Sequence, residues 1–317
     1  MSVLILTGER DPSADLMVSA LEKRETIVHR VDTSWFPGQL SLTAELASGR
    51  WCGSLRTPYR TIDLDTITAV WYRSPRIFDF PAAMTATERQ HATIEAKYGL
   101  GGILMTLPVL WVNHPARLAD AAYKPVQLVT AQRCGLTVPD TLVTNEPEAV
   151  RAFADSGRTV SKMLGGVSVV EGGVRKFSRT HLLDPADLDD LRGVEQTAHQ
   201  FQRWAPKAHE ARVIVIGDHL TAVSIHADSA ASYVDYRADY ASLRYELVTP
   251  PAAVESGIRN LMKELGLVYG AIDFVVSPTG EWVFLEVNAA GQYGWLEDHT
   301  GAPLTDQLAD LLAGGIA

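Results

Sequence analysis

Three oxygen-bearing side chains near the C-terminus, Asp273, Glu286 and Asn288, have the types and spacing to hold a hard divalent cation. Gly270–Ser277 and Trp282–Asn288 flank Pro278-Thr279-Gly280-Glu281, which reads as a β-hairpin. A loop of two or four residues sets Asp273 across from Glu286. It also gathers Ile272, Phe274, Val276, Val283, Leu285 and Val287 on one face. A three-residue loop would turn Asp273 into that apolar face, so the hydrophobic pattern favours the even register. Carboxylates held roughly 5 Å apart repel, and a cation with oxygen ligands relieves the repulsion. Asn288 adds a third oxygen on the same face. An exposed hairpin carrying ordinary polar residues explains the same pattern, and the motif alone leaves both readings open.

Magnesium is usually held by one or two carboxylates together with nucleotide phosphates, so such a site calls for cations upstream. Lys124 lies in a helical stretch, Lys162 ends Thr159-Val-Ser-Lys162, Arg212 lies in Glu210-Ala211-Arg212 and Arg237 in Asp235-Tyr236-Arg237. Each singly is explained as solvated surface charge. Lys162 stands apart: it ends a β-branched strand before Gly165-Gly166, where glycine backbone can approach phosphate closely. No Walker A run occurs, and Gly8 lacks the spacing of a dinucleotide fingerprint. Phosphate binding then requires a clamp between two sheets. Phe201-Gln202-Arg203-Trp204 joins the two lobes, where backbone groups could read an adenine edge; a plain linker is the other reading.

The elements that must position these residues follow an α/β rhythm. Val3–Leu6, Ile27–Val31, Thr68–Arg73 and Leu110–Asn113 read as strands, with helices over Pro12–Lys23 and Thr87–Met105. Residues 1–112 form one α/β unit. A helical stretch from Pro115 to Arg133 opens a second unit, 113–198. It continues with strands at Thr137–Val143 and Arg158–Met163, a helix at Glu146–Ala154, a glycine-bracketed hairpin over 167–177 and an acidic helix from Asp184 to Leu191. The third, 199–317, holds a hairpin about Gly217-Asp218, a helix at Val254–Leu265, the metal-like hairpin and a terminal helix at Leu304–Leu312.

At 317 residues with 46% hydrophobic and 21% charged composition, the chain has core material for two or three packed units. A formal charge of −10 opposes a nucleic-acid or anionic-membrane partner. Cys52 and Cys134 have no zinc spacing and make no disulfide framework. No signal peptide or membrane span is read, and the expected compartment is cytoplasmic.

In chain order, Asn113-His114-Pro115, Lys124, Gly135–Thr141, Lys162 with its glycines, Gln202-Arg-Trp, Glu210-Ala-Arg212, Asp273 and Glu286-Val-Asn288 resemble the ATP-grasp ligases across nearly the whole chain. Trp71-Tyr-Arg-Ser-Pro75, Asp235-Tyr-Arg237 and Asn288–Trp295 resemble the microviridin-type maturases of graspetides, which are crosslinked ribosomal peptides. The resemblance implies an α/β (α+β) ATP-grasp fold: an N-terminal α/β domain, then central and C-terminal lobes clamping ATP. Lys124 and Lys162 would bind phosphates, with Gln202, Arg203, Trp204 and Glu210 completing the nucleotide site. Asp273, Glu286 and Asn288 would hold Mg²⁺, and Arg212 and Arg237 would stabilise the transferred γ-phosphoryl group.

The implied substrate is a ribosomal precursor peptide with a leader and an acidic core. Its Asp or Glu side chains are activated as acyl phosphates and captured by a hydroxyl or amine, giving ω-ester or ω-amide crosslinks. The leader would dock on the hairpin carrying Val174 and on the acidic helix carrying Asp187 and Asp190. Arg73 would grip the acidic core, or else form a strand-end salt bridge. The resemblance suggests a homodimer. A RimK-like ligase adding an amino acid to a carboxylate would share the nucleotide site, and a non-catalytic ATP-binding regulator is a third reading. His114, His226 and His299 are bases only if they are not structural. Arg203 stands where an acidic residue is often found in the family, which weakens the assignment of specific side chains to adenine or ribose.

Overall fold

The computed structural model describes residues 2–165, 168–171, 174–177, 180–234 and 239–314. Its first strand, β1 (Ser2–Thr7), is buried at every position, as a central strand covered on both faces requires. The chain continues through α1 (Pro12–Glu22), β2 (Ile27–Val31), β3 (Ser41–Ala47), β4 (Arg50–Arg56), β5 (Thr61–Asp63) and β6 (Ile67–Ser74). It then runs through α2 (Ala86–Ala96), a π-turn at Lys97–Gly101, α3 (Gly102–Met105) and β7 (Leu110–Val112). The four parallel strands lie in the order β2-β1-β6-β7, and β3-β4-β5 form a separate antiparallel sheet. The chain leaves β1 towards one edge and β6 towards the other. That is a topological switch point, and the crevice beyond the carboxyl ends of β1 and β6 is where parallel α/β sheets take ligands.

The stretch read as one helix from Pro115 to Arg133 is two, α4 (Pro115–Ala121) and α5 (Lys124–Arg133). Pro125 explains the break: it has no N–H to bond the Ala121 carbonyl and continue α4, but it suits the first turn of a new helix. Lys124 is therefore the first residue of α5 instead of an interior one. The second lobe follows as β8 (Thr141–Thr144), α6 (Pro147–Asp155), β9 (Thr159–Lys162), β10 (Ser168–Glu171), β11 (Val174–Phe177), β12 (His181–Leu182), α7 (Pro185–Asp189) and β13 (His199–Arg203). Its main sheet has the order β12-β9-β13-β8, and β10 pairs with β11 as the glycine brackets imply. The middle strand β13 thus comes from beyond residue 198, where the sequence had placed the lobe boundary. Phe201 on β13 packs with Val150, Leu191 and Val194 on the outer face of this sheet.

The third lobe comprises β14 (His209–Ile216), β15 (His219–Ala227), α8 (Ala230–Val234), β16 (Leu243–Val248), α9 (Ala252–Leu265), β17 (Tyr269–Val276), β18 (Trp282–Asn288), α10 (Gly294–Thr300) and α11 (Leu304–Gly314). One antiparallel sheet runs β16-β15-β14-β17-β18. Residue alternation gives it two cores. Val213, Ile272 and Phe274 pack with Ile258 and Leu261 of α9 and Leu128 of α5. Ile214, Ile216 and Val223 join Leu304 and Leu308 of α11 and the N-terminal strands through Val3, Ile5 and Trp71. Arg24, just beyond the end of α1, holds α11 by ion pairs to Asp306 (3.2 Å) and Asp310 (2.6 Å). The C-terminus is thereby tied back to the first domain.

The hairpin register is reached by a different route from the one the sequence suggested. Val276 pairs with Trp282, leaving residues 277–281 as a five-residue connection in odd register. A β-bulge then intervenes, and Asp273 pairs with Glu286 after all. The extra residue is Leu285, so Trp282, Phe284 and Val287 face the α9-side core, in place of the expected Val283, Leu285 and Val287. A bulge bends a strand and re-aims the side chains beyond it. Here it lets two large aromatics pack on Phe274 and still turns Glu286 to the polar face.

Candidate active site

Arg212, Asp273 and Glu286 are aligned across three neighbouring strands, Arg212 pairing with Asp273 and Asp273 with Glu286. Asn288 Nδ2 donates to Asp273 Oδ2 (3.1 Å) and to Glu286 Oε1 (3.3 Å), holding both carboxylates in one cluster. Arg212 Nη1 donates to Asp273 Oδ1 at 2.7 Å, and its other terminal nitrogen to the Gln292 carbonyl at 3.2 Å. Lys124 Nζ reaches Glu286 Oε2 at 2.8 Å and the Met163 carbonyl at 2.8 Å. First in its helix, Lys124 therefore spans from the third lobe to the strand end that bears Lys162. Burial opposes the charged form of Glu286, but Lys124, Lys162 and the Asn288 amide together hold its carboxyl below the usual range. Desolvation lowers the Lys162 ammonium, as does Lys124, while Glu286, Glu210 and Asp273 pull the other way. A half-buried lysine held below its ordinary range beside carboxylates is the kind of group found where a polyanion binds.

Across β13, Gln200 lies directly opposite Lys162, and Gln202 opposite Val160. Directly paired residues share a face, so both amides stand on the Lys162 side, away from Phe201. Gln202 Nε2 donates to Thr141 Oγ1 at 3.0 Å. The Oε1 atoms of Gln200 and Gln202 are buried without a hydrogen-bond partner, and an orphan buried acceptor calls for a donor from outside the protein. Gln200 was missed from sequence, although strand alternation from Gln202 would have found it.

Arg203 does something else. Its guanidinium donates to the Phe153 carbonyl (3.0 Å), Ser156 Oγ (2.7 Å) and Thr159 Oγ1 (3.0 Å), bonds the Gly157 carbonyl and lies over the Phe153 ring. It closes the C-terminal end of α6. Trp204 stacks at 6.0 Å from Tyr233, with Arg158 and Lys207 over its ring. Lys207, a residue the sequence reading passed over, is buried in an ion pair with Glu210 and sits over Tyr233 as well. Its signal was its i,i+3 spacing from Glu210. Arg237 lies outside the described residues.

The switch-point crevice opens as a cavity of about 800 Å³ lined by Arg10, Asp11, Arg73, Arg76, Asp79 and Gln292 among others. Arg73 is buried beneath it: its Nε is 3.7 Å from Asp11 Oδ2, and Nη1 donates to the Ala290 carbonyl at 3.4 Å. Asp11 meanwhile caps α1, accepting from Ser13 and Ala14 N–H and from Thr7 Oγ1 (2.7 Å). Arg10 and Arg76 are the exposed cations of the cavity. A Cβ on Gly8 would stand 2.8 Å from Arg76 Cδ, so the Arg76 side chain lies directly against this glycine. Gln292 joins the cavity to the carboxylate cluster, since its carbonyl accepts from Arg212. The loop there is tight: a Cβ on Gly291 would lie 2.7 Å from Ala271 Cβ, 2.9 Å from Arg212 Nη2 and 3.1 Å from Asn288 Cβ.

Asp187 and Asp190 flank the end of α7. Asp187 accepts from the Asp184 N–H (2.8 Å) in a capping box and faces His181 Nε2 at 2.7 Å, while Asp190 holds Arg192 through two bonds of 2.6 and 2.5 Å. Val174 opens β11, paired with Glu171. The three histidines weighed as bases are engaged within their own elements. His114 caps α4, His226 meets Ser224 Oγ at 3.0 Å, and His299 meets the Trp295 carbonyl at 2.6 Å. Among the described residues no three His, Cys, Asp or Glu side chains converge on a metal position; the Asp273 cluster brings together two carboxylates and one amide.

A family model described as the MvdD pre-ATP grasp domain matches residues 2–119. The macrocyclase MdnC bound with precursor peptide MdnA, from Microcystis aeruginosa MRC, is 29% identical, with TM-score 0.86 over 99% of this chain and 100% of that one. A Chryseobacterium gregarium RiPP-associated ATP-grasp ligase, in complex with ADP and a leader and core peptide, is 28% identical, with TM-score 0.89 over 100% and 98%. This chain is an ATP-grasp enzyme. The macrocyclase MdnB from Microcystis aeruginosa MRC is similar as well, 29% identical with TM-score 0.80 over 98% of each chain. No curated protein sequence matches. The two sheets of the ATP-grasp clamp are then the β12-β9-β13-β8 sheet, which presents Lys162, Gln200 and Gln202, and the five-stranded sheet, which presents Arg212, Asp273, Glu286 and Asn288.

Proposed function

We propose that this ATP-grasp enzyme is a graspetide-type peptide macrocyclase. It activates Asp or Glu side chains of a ribosomal precursor peptide with ATP and joins them to hydroxyl or amine groups of the same peptide. The observation that carries the reading is the cavity at the end of β1 and β6, rimmed by Arg10 and Arg76 and connected through Gln292 to the Arg212–Asp273–Glu286 row. Likeness to MdnC and to the Chryseobacterium ligase over essentially the whole chain supports it.

The residues fit a magnesium nucleotide. Asp273, Glu286 and Asn288 would hold Mg²⁺, which neutralises phosphate charge when bound. Lys162 and Lys124 bind phosphate oxygens, Lys124 leaving Glu286 to the metal. Gln200 and Gln202 offer their buried Oε1 atoms to an exocyclic amine of the base. Arg10 and Arg76 grip the peptide's acidic side chain in the cavity, where Arg73, fixed by Asp11, shapes the floor. Arg212, joined in the family pattern by Arg237, faces the transferred phosphoryl group. The carboxylate attacks the γ-phosphorus and ADP departs; the hydroxyl or amine then attacks the acyl carbon, expels inorganic phosphate and gives up its proton, leaving the ester or amide. No protein nucleophile is needed, since phosphoryl transfer rests on positioning and charge stabilisation. The leader docks at β10–β11, with Val174, and at α7 beside Asp187 and Asp190. Exposed Tyr123, Val126 and Val129 give α5 an apolar strip suited to a second copy in a homodimer.

Incubation with ATP, Mg²⁺ and a Thr-, Asp- and Glu-rich precursor peptide tests the reading. The peptide mass falls by one water per crosslink as ADP accumulates. A gain equal to an amino acid would instead mark a RimK-like ligase, and nucleotide binding without ADP release a regulator.

A further inference from the structure

β18 is an edge strand of its sheet, yet it carries Glu286 and Asn288. The outward backbone groups of an edge strand have no strand partner, and an edge left to water is free to shift and fray. Near the turn the Phe284 N–H of β18 donates to the Thr137 carbonyl (2.8 Å), and beside the carboxylate cluster two buried side-chain amides take the place of a sixth strand. Gln127, 4% exposed, accepts from the Val287 N–H (2.9 Å) and donates to the Val287 carbonyl (3.0 Å), while also donating to the Ala121 carbonyl (2.6 Å). Asn113, 2% exposed, donates to the Ala289 carbonyl (2.7 Å) and the Tyr269 carbonyl (2.8 Å), and accepts from the Val268 (2.7 Å) and Tyr269 (3.0 Å) N–H groups. The two contacts fall at residues 287 and 289, on either side of Asn288 and next to Glu286.

We infer that Gln127 and Asn113 are positioning residues for the metal-binding strand: they clamp its backbone so that Glu286 and Asn288 face Asp273 at coordinating distance. The inference rests on the magnesium assignment made above. A carboxamide presents an acceptor oxygen and a donor nitrogen side by side, which matches the N–H and C=O of one residue's backbone. Gln127 stands one helical turn from Lys124, so a single face of α5 sets both the Glu286 partner and the Val287 backbone. Asn113 reaches β17 and the end of β18 together, and so fixes the two halves of the hairpin relative to each other. Groups that orient metal ligands affect affinity by about 10–100-fold when removed.

Gln127→Met and Asn113→Leu keep side-chain volume and remove the bonds. Titration of Mn²⁺ by electron paramagnetic resonance in the presence of ADP gives the metal affinity directly, without turnover. Each variant should weaken Mn²⁺ binding about tenfold and raise the KM for Mg²⁺ to match. The KM for peptide and kcat at saturating metal should stay within about twofold of wild type. Hydrogen exchange on the wild-type protein gives an independent reading if a variant fails to fold: the Val287 amide should be protected although it points away from the sheet. A lowered melting temperature with unchanged Mn²⁺ affinity, or a freely exchanging Val287 amide, overturns the inference. Wild-type protein that binds no Mn²⁺ with ADP would overturn the magnesium assignment and the inference together.

Discussion

Asp273 and Glu286 are held together by Lys124, Arg212 and Asn288, so charge compensation within the cluster comes from residues that the proposed function also places at the nucleotide. Asp273→Asn and Glu286→Gln should each lower the ADP-release rate by at least about 100-fold, because several kcal/mol of charge stabilisation is lost. Leader-peptide affinity should not change. Lys162 gives a pH-dependent test. Its ammonium is lowered by desolvation, and phosphate oxygens would raise it again in the complex. A group with a higher pKa bound than free takes up a proton on binding, so nucleotide affinity weakens as pH rises from the free towards the bound value. Calorimetry of nucleotide binding in buffers of different ionisation enthalpy should show net proton uptake that disappears in Lys162→Met. Gly291→Ala should lower kcat on the order of 100-fold by displacing Arg212 and Asn288, with circular dichroism unchanged. The types and spacing of these residues were legible in the chain because Asp, Glu and Asn on alternating strand positions point to one face. The orphan amides of Gln200 and Gln202 were not, since only the tertiary surroundings show that an acceptor lacks its donor.

At the scale of elements, β17–β18 shows how a correct pairing can be inferred by an incomplete argument. Hydrophobic alternation required Asp273 opposite Glu286, and they are opposite, but Leu285 is the bulge residue that makes it so. A bulge leaves little mark in a run such as Val283-Phe-Leu-Glu-Val, where several registers are apolar on one side. Deleting Leu285 would remove the bulge and let Glu286 follow Phe284 directly, so that regular alternation alone keeps it opposite Asp273 on the polar face. Mn²⁺ binding should therefore survive the deletion, and its loss in a variant that still folds by urea titration would show that the bulge geometry itself aims Glu286. The break between α4 and α5 at Ala122-Tyr123 has the opposite character. Pro125 announced it in the sequence, and its importance lies in placing Lys124 in a first turn from which it reaches both Glu286 and the Met163 carbonyl.

For the whole molecule, the proposed active site draws on all three regions of the chain. The parallel sheet supplies the arginine-lined cavity, the β12-β9-β13-β8 sheet supplies Lys162 and the glutamines, and the five-stranded sheet supplies the carboxylates. The order of these regions was legible because hydrophobic periodicity and glycine punctuation mark units locally. Their interdigitation was not: β13 from beyond residue 198 is central to the middle sheet, and α11 packs back on α1. Pairings between distant segments leave no local trace in a sequence. The central claim is that a peptide carboxylate is activated by direct attack on the γ-phosphate. Precursor peptide labelled with heavy oxygen in its Asp and Glu side chains tests it most directly, through mass analysis of the inorganic phosphate released. One heavy oxygen should appear in phosphate for every crosslink formed; crosslinked peptide accompanied by unlabelled phosphate would contradict it.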